Sequence, residues 1–268
     1  MLKMAVSAAF KGGEKIFEIY ATDFSVETKS DNTPVTLADK ASGKCITELL
    51  SVSGIPVISE EEEIVEYKER KKWKQVWIVD PLDGTKEFVK RNGEFAINIA
   101  LVEDNVPVIG IIYAPVLKDI YFAYKGGGSY KISQHDMIVE LTKKNLPDHL
   151  FEFAKKLPLR KLPNTYTVVA SRSHLSREIN DHLNKLRNLY GEIDLISVGS
   201  SIKQCWVAEG KAHEYPRFGT TMEWDTAAGQ CILEEAGSQL IDLGTNLPMK
   251  YNREEMKNNY FMAKAGSF

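Results

Sequence analysis

Cysteine, basic excess and long apolar runs are all scarce in this chain, and each scarcity removes a class of function. Three cysteines occur among 268 residues, Cys45, Cys205 and Cys231, with no CxxC pair. An odd, scattered set supports neither a disulfide framework nor a zinc knuckle, and reads as free thiols in a reducing compartment. The formal net charge of −3 offers no electrostatic footprint for a nucleic acid. The longest apolar stretch, VPVIGIIYAPV, is interrupted by prolines and falls far short of a membrane span. The opening MLKMAVSAAFKGGEK has neither the apolar length nor the cleavage site of a signal peptide. These exclusions lead to the expectation of a cytoplasmic protein, monomer or homodimer, without membrane insertion. What remains, 43% hydrophobic and 26% charged residues, is the composition of an ordinary globular chain.

Periodicity divides the chain in two. Apolar residues from Leu2 to Tyr20 recur at helical spacing, with an interruption expected at Gly12 and Gly13. A second helix is expected from Ala38 to Val52, with Ala41, Cys45, Ile46, Leu49 and Leu50 inward. IPVIS, QVWIV, FAINIALV, VPVIGIIYA, DIYFAY and SYKI read as strands joined by short turns, hence an antiparallel sheet. Beyond residue 150 strands and helices alternate: TYTVVAS, a helix over Glu178–Leu189, IDLISV, a helix over Ile202–Glu209, AHEYPRF, a helix over Trp224–Ala236 and SQLIDL. That rhythm predicts an α/β second half. The segment from Thr142 to Pro163 is the expected boundary between a region 1–150 and a region 151–268.

The chemistry concentrates where QVWIV ends in DPLDGTKEF. Asp80 and Asp83 fit turn residues as well as ligands, since aspartate before proline or glycine often opens or closes a turn. The preceding strand is apolar on both faces, which brings them out at a strand end, a common ligand position in α/β proteins. Gly84 and Thr85 can begin a helix and offer backbone amides to an anion. Carboxylates beside an anion call for a cation between them, and oxygen-only donors favour magnesium. Glu60, first after IPVIS, is the best placed of a run of glutamates in which Glu62 and Glu63 read as solvated. Asp225 opens an apolar helix and fits an N-cap equally well. Asp39 likewise fits the acidic partner of a capping box begun by Thr36. GSS at Gly199–Ser201 lacks a nucleophile-elbow pattern, which excludes a serine hydrolase.

DPLDGTKEF, ISEE upstream and WDTAAG downstream together resemble the magnesium-dependent, lithium-sensitive phosphatases of the inositol monophosphatase superfamily. KRNGEFAINIAL, IIYAPV, VASRSH, GSSIKQCWVAEG and YPRFGTTMEWDTAAG resemble its 3′(2′),5′-bisphosphate nucleotidase branch. The resemblance implies a five-layered αβαβα sandwich, an antiparallel-sheet part followed by an α/β part. It implies two or three magnesium ions held by Glu60, Asp80, Asp83, Asp225 and the carbonyl of Leu82, with Glu61 as an accessory acid. Asp39 and Thr85 match the pair that orients and deprotonates the attacking water, with Glu60 beside them. The phosphoryl group would meet Gly84, Thr85 and Asp225. Ser200, Lys203 and Arg217 match nucleotide-contacting positions, and His174 falls near the second phosphate or ribose; Arg172 matches less well. The expected substrate is a small nucleotide, adenosine 3′,5′-bisphosphate, with its 5′-phosphosulfate analogue as a further candidate. An inositol or sugar phosphatase is the second reading, and a non-catalytic metal- or nucleotide-binding protein a distant third.

Overall fold

The computed structural model describes residues 1–22, 26–28, 34–133, 150–170 and 176–267. The N-terminal apolar periodicity folds into helix α1 (Leu2–Tyr20), whose buried side includes Val6, Ala9, Phe10 and Ile16. It is not interrupted at the glycines. A Cβ on Gly12 would lie 2.7 Å from Ile46 Cδ1, and one on Gly13 would lie 2.6 Å from Tyr113 Cε1. Their bareness lets α1 close on its neighbours, and that packing outweighs a helix-propensity penalty of about 1 kcal/mol per glycine. Strands β1 (Val26–Thr28) and β2 (Pro34–Thr36) form a small antiparallel ladder. Helix α2 (Leu37–Ser51) follows, capped by Thr36 with Asp39 completing the capping box.

The first large sheet runs in the order β3-β4-β5-β6-β7-β8-β9. Its members are β3 (Val57–Ser59), β4 (Gln75–Asp83), β5 (Ala96–Glu103), β6 (Val106–Ala114), β7 (Asp119–Tyr124), β8 (Gly128–Ser133) and β9 (Lys155–Lys156). All neighbours are antiparallel except β3 and β4, which run parallel. The expected uniformly antiparallel sheet is therefore mixed. The connection between β3 and β4 carries helix α3 (Tyr67–Arg70) and is long enough to cross over, whereas the later turns are tight. Helix α4 (Thr85–Val89) leaves directly from the end of β4.

The second sheet contains β10 (Tyr166–Ala170), β11 (Ile193–Ser197), β12 (Glu214–Arg217), β13 (Gln239–Asp242), β14 (Leu247–Pro248) and β15 (Phe261–Lys264), in the order β11-β10-β12-β15-β13-β14. Between them lie α5 (Arg177–Tyr190), α6 (Ile202–Ala208) and α7 (Ala227–Glu235). The helix expected over Trp224–Ala236 is in fact a 3-10 turn, Glu223–Asp225, followed by α7.

Layering follows from which apolar faces meet. Helices α1 and α2 cover one face of the first sheet around Trp77, Ile99 and Ile111. Helices α6 and α7 fill the space between the sheets, joining Ile78, Ala100 and Ile112 to Val169, Tyr215 and Phe261 in one core. Helix α5 covers the far face of the second sheet through Ile179, Leu183 and Leu186. The result is the αβαβα sandwich. Among the described residues no helix is long and apolar enough to cross a membrane.

Where α7 meets β6 the backbones touch. A Cβ on Gly110 would stand 2.3 Å from the Ala228 carbonyl oxygen, a contact with no flexible end to yield. Gly110→Ala should lose about 1–3 kcal/mol of stability through overpacking, although alanine is otherwise the better mid-strand residue. Urea denaturation of the two proteins measures it, and an unchanged midpoint would refute the close packing.

Candidate active site

The spacing of Asp80 and Asp83 is explained by the end of β4. In a regular strand, residues three apart point to opposite faces. Here Asp80 pairs with Asn98 while Asp83 pairs with Ala96, so β4 carries one extra residue across that interval. Such a bulge re-aims a side chain, and Pro81, with no N–H to give to a ladder, suits it. Asp80 Oδ1 accepts the Leu82 amide at 3.0 Å, which tightens the turn. Both carboxylates then face the same way.

The third comes from elsewhere in the chain. The 3-10 turn packs on β4 and β5 and delivers Asp225, whose Oδ2 accepts the Met222 amide at 2.7 Å. Asp225 is thus not the cap of α7, a position held by Thr226. Carboxylate oxygens of Asp80, Asp83 and Asp225 all lie within 4.8 Å of one another. Among the described residues no lysine or arginine forms an ion pair with any of them. Asp80 is held well above the ordinary carboxylate range by burial, reinforced by the charges of Glu60, Asp83 and Asp225. Burial, followed by the charge of Asp83, pushes Asp225 up to about 8. Crowded, oxygen-only donors, with Asp80 buried and the other two half-buried, and with no direct ion pair, suit a hard divalent metal.

Glu60 is half-buried and sits beside β4, its amide donating to the Val79 carbonyl at 3.2 Å. It stands outside the trio, although its charge is felt at Asp80 and Asp225. Glu61 is half-buried, whereas Glu62 and Glu63 are exposed as expected. The Leu82 carbonyl faces Thr85, whose hydroxyl approaches it at 3.4 Å.

Asp39 and Thr85 meet. The Thr85 hydroxyl donates to Asp39 Oδ1 at 3.0 Å. Asp39 Oδ2 accepts both the amide and the hydroxyl of Thr36, each at 2.7 Å. The capping role and the contact with Thr85 coexist on one buried carboxylate, which burial raises above its ordinary pKa. Gly84, at φ 94°, supplies the left-handed turn that swings the chain from β4 into α4 and places Thr85 there.

A cleft of about 350 Å³ opens beside the trio, lined in part by Asp83, Gly84, Ser200, Lys203, Arg217 and Asp225. Ser200 adopts φ 51°, and Lys203 holds that loop by donating Nζ to the carbonyls of Val198 at 3.2 Å and Ser200 at 2.6 Å. Lys203 is buried over the Tyr215 ring, and desolvation lowers its pKa to about 8. Arg217 donates NH2 to the Thr220 carbonyl at 3.1 Å, while its buried Nε has no partner. Arg172 and His174 lie outside the described residues.

Three residues not singled out from sequence complete the frame. Asn98 Nδ2 reaches Asp83 Oδ2 at 3.4 Å and the Trp224 carbonyl at 3.3 Å, and its Oδ1 accepts the Ser201 hydroxyl at 2.6 Å. The Ser201 amide donates to Asp83 Oδ2. Gln204 Nε2 donates to the Asp225 carbonyl at 2.8 Å. A lone asparagine in the apolar FAINIALV, paired with Asp80, was the one available signal.

The trio makes a pH prediction. The folded carboxyls of Asp80 and Asp225 retain protons that the unfolded chain gives up near pH 4. The folded state therefore binds more protons between about pH 4 and about pH 8, and metal-free protein loses stability as pH rises through that window. Its thermal midpoint should fall by several degrees, less so in Asp225→Asn, and millimolar magnesium should offset the fall. A midpoint that rises with pH in chelator would refute the crowding.

The sandwich and the sequence have counterparts. A model of the inositol monophosphatase family matches residues 1–266. The chain is 42% identical over 246 residues to the 3′(2′),5′-bisphosphate nucleotidase CysQ of Salmonella typhimurium, covering 90% of each. It is 38% identical over 259 residues to the protein of that name in Escherichia coli K12, covering 95% of each. CysQ from Bacteroides thetaiotaomicron, a bacterial member of the inositol monophosphatase family, superposes with TM-score 0.87 at 44% identity, over 98% of this chain and 96% of that one. Inositol monophosphatase-II of Staphylococcus aureus shares the fold at 22% identity, with TM-score 0.71 over 98% of this chain and 88% of that one. Matched from end to end by the family model, and by relatives well above 30% identity, the chain belongs to the inositol monophosphatase family.

Proposed function

We propose that the chain is a magnesium-dependent 3′(2′),5′-bisphosphate nucleotidase, removing the 3′-phosphate of adenosine 3′,5′-bisphosphate to leave AMP and phosphate. The observation that carries this is the carboxylate trio, without a direct ion pair among the described residues, beside the Asp39–Thr85 pair in a cleft containing Arg217. A single-phosphate substrate would have no second anion to place against the positive charge of Arg217 in the cleft wall. The relatives named as nucleotidases support the same substrate.

Asp80, Asp83 and Asp225, with Glu60 and the Leu82 carbonyl, would hold the magnesium ions, two or three in number. Bound there, the metal supplies positive charge at the phosphoryl oxygens and lowers the pKa of a water. The remaining work belongs to the chain. The Thr85 hydroxyl, committed as a donor to Asp39, keeps its lone pairs for a water proton. Asp39 cannot swing away, because Thr36 holds its other oxygen. Burial makes the Asp39 carboxylate more basic than one in water, so it can draw the proton through Thr85. Gly84 lines the cleft at the start of α4, where backbone amides would take charge from the phosphoryl group. Asn98 and the Ser201 amide hold Asp83 in place throughout.

A substrate panel with magnesium tests the assignment. Adenosine 3′,5′-bisphosphate should give a higher kcat/KM than inositol 1-phosphate or fructose 1,6-bisphosphate, and chelator should silence all turnover. A preference for inositol or sugar phosphate would transfer the site to that chemistry. Full activity in excess chelator would end the metal reading.

The water-handling pair makes a separate prediction. Asp39→Asn and Thr85→Ala should each lower kcat by roughly 10²-fold with little change in KM. The double variant should be hardly worse than the poorer single, since both serve one proton. If each instead costs about 1 kcal/mol of stability, additively and with kcat near normal, the pair is a helix cap and no more.

A further inference from the structure

Lys86 and Lys90 stand four residues apart on α4 and its C-cap, linked by the bond from the Lys90 amide to the Lys86 carbonyl at 3.1 Å. That spacing puts both side chains on one side of the helix. Both line the cleft and both are exposed. Neither forms an ion pair among the described residues. On α1 and α2, by contrast, Lys11, Lys15 and Lys44 each face a glutamate one turn away, although Lys68 and Lys185 on other helices form no such pair among the described residues.

The opposite wall is short of free charge. Lys203 is buried, with Nζ donating to two backbone carbonyls. Arg217 retains free donors but contributes one charge. A phosphate monoester carries close to two negative charges near pH 7 and three acceptor oxygens. Glu87, between them in sequence, also lines the cleft, but its side chain lies against Gly84 and Gly199 and forms no ion pair with either lysine among the described residues.

We infer that Lys86 and Lys90 determine specificity by taking the phosphate that is not hydrolysed, closing on it from α4 while Arg217 meets it from β12. The inference rests on the nucleotidase reading. It also puts the recognition of the second anion on both sides of the cleft, with long, hydrated ammonium groups that can reach a ligand after it enters.

The test compares adenosine 3′,5′-bisphosphate with adenosine 3′-monophosphate, which shares the scissile ester and lacks the second phosphate. Steady-state KM is measured at fixed magnesium for wild type, Lys86→Gln, Lys90→Gln, the double Gln variant and a charge-keeping double Arg variant. Wild type should bind the bisphosphate more tightly, by a margin that shrinks as salt rises. Each single Gln variant should raise KM for the bisphosphate by roughly 3- to 10-fold, between an exposed ion pair and a charge-assisted hydrogen bond. The double should raise it by tens of fold, with much smaller changes on the monophosphate, and the double Arg variant should recover most of the loss. A wild type that discriminates, with Gln variants that discriminate equally well, would overturn the lysine assignment and leave the nucleotidase reading intact. A wild type that treats the two nucleotides alike would overturn both.

Discussion

Repulsion among Asp80, Asp83 and Asp225 is the constraint around which the site is built. Three carboxylates within 4.8 Å of one another would drift apart on flexible supports. Each is therefore braced by groups that cannot follow it. Asp80 is tied to its own turn, Asp83 to Asn98 and Ser201, and Asp225 to Met222. The 3-10 turn carrying Asp225 is in turn pinned from behind. Buried Glu223 accepts the amides of Asn252 and Arg253, and Asn258 donates to the Met222 carbonyl and to the hydroxyls of Thr221 and Thr226. A sandwich with a helix layer between two sheets suits this demand, since the acids arrive from parts of the chain far apart in sequence.

The two sheets also hold each other. Glu209, buried at the end of α6, accepts the Tyr121 hydroxyl of β7 at 2.8 Å and lies 3.3 Å from Lys131 of β8. Lys211 and Arg160 approach the same carboxylate at 3.1 and 3.4 Å. These cations offset the burial of Glu209, whose pKa lies below its ordinary value despite desolvation. Counter-charge is thus available inside this protein where the fold requires it. Among the described residues no cation pairs directly with the aspartate trio, where Arg217 and Lys203 act only from a distance, and that marks the site as different in kind.

Local features were legible in the sequence, and distant contacts were not. Strands β6 and β7 coincide with VPVIGIIYA and DIYFAY because apolar composition and tight turns suffice to define them. The glycines of α1 misled because their reason lies on Ile46 and Tyr113, remote in sequence. Strand β15 went unassigned: four residues near the C-terminus carry no periodicity, yet they occupy the middle of the second sheet. DPLDG and WDTAAG were readable as acidic motifs, but their convergence needed a bulge that register alone reveals. Lys203 and Arg217 stood out as cations near the right motifs. Their unequal freedom, one spent on backbone carbonyls and the other holding an unpartnered Nε, depends on the shape of the Ser200 loop and was invisible beforehand.

Asp39 divides its two oxygens between two obligations, one to the first turn of α2 and one to Thr85. On the proposed mechanism, a library selected only for heat resistance would retain this aspartate, and so would a library selected only for turnover, each for a reason the other could not detect. Improving either property at this position has no direction that is neutral for the other. The residue is fixed twice over, and an observer who sees it unchanged under one kind of selection learns nothing about which obligation kept it there.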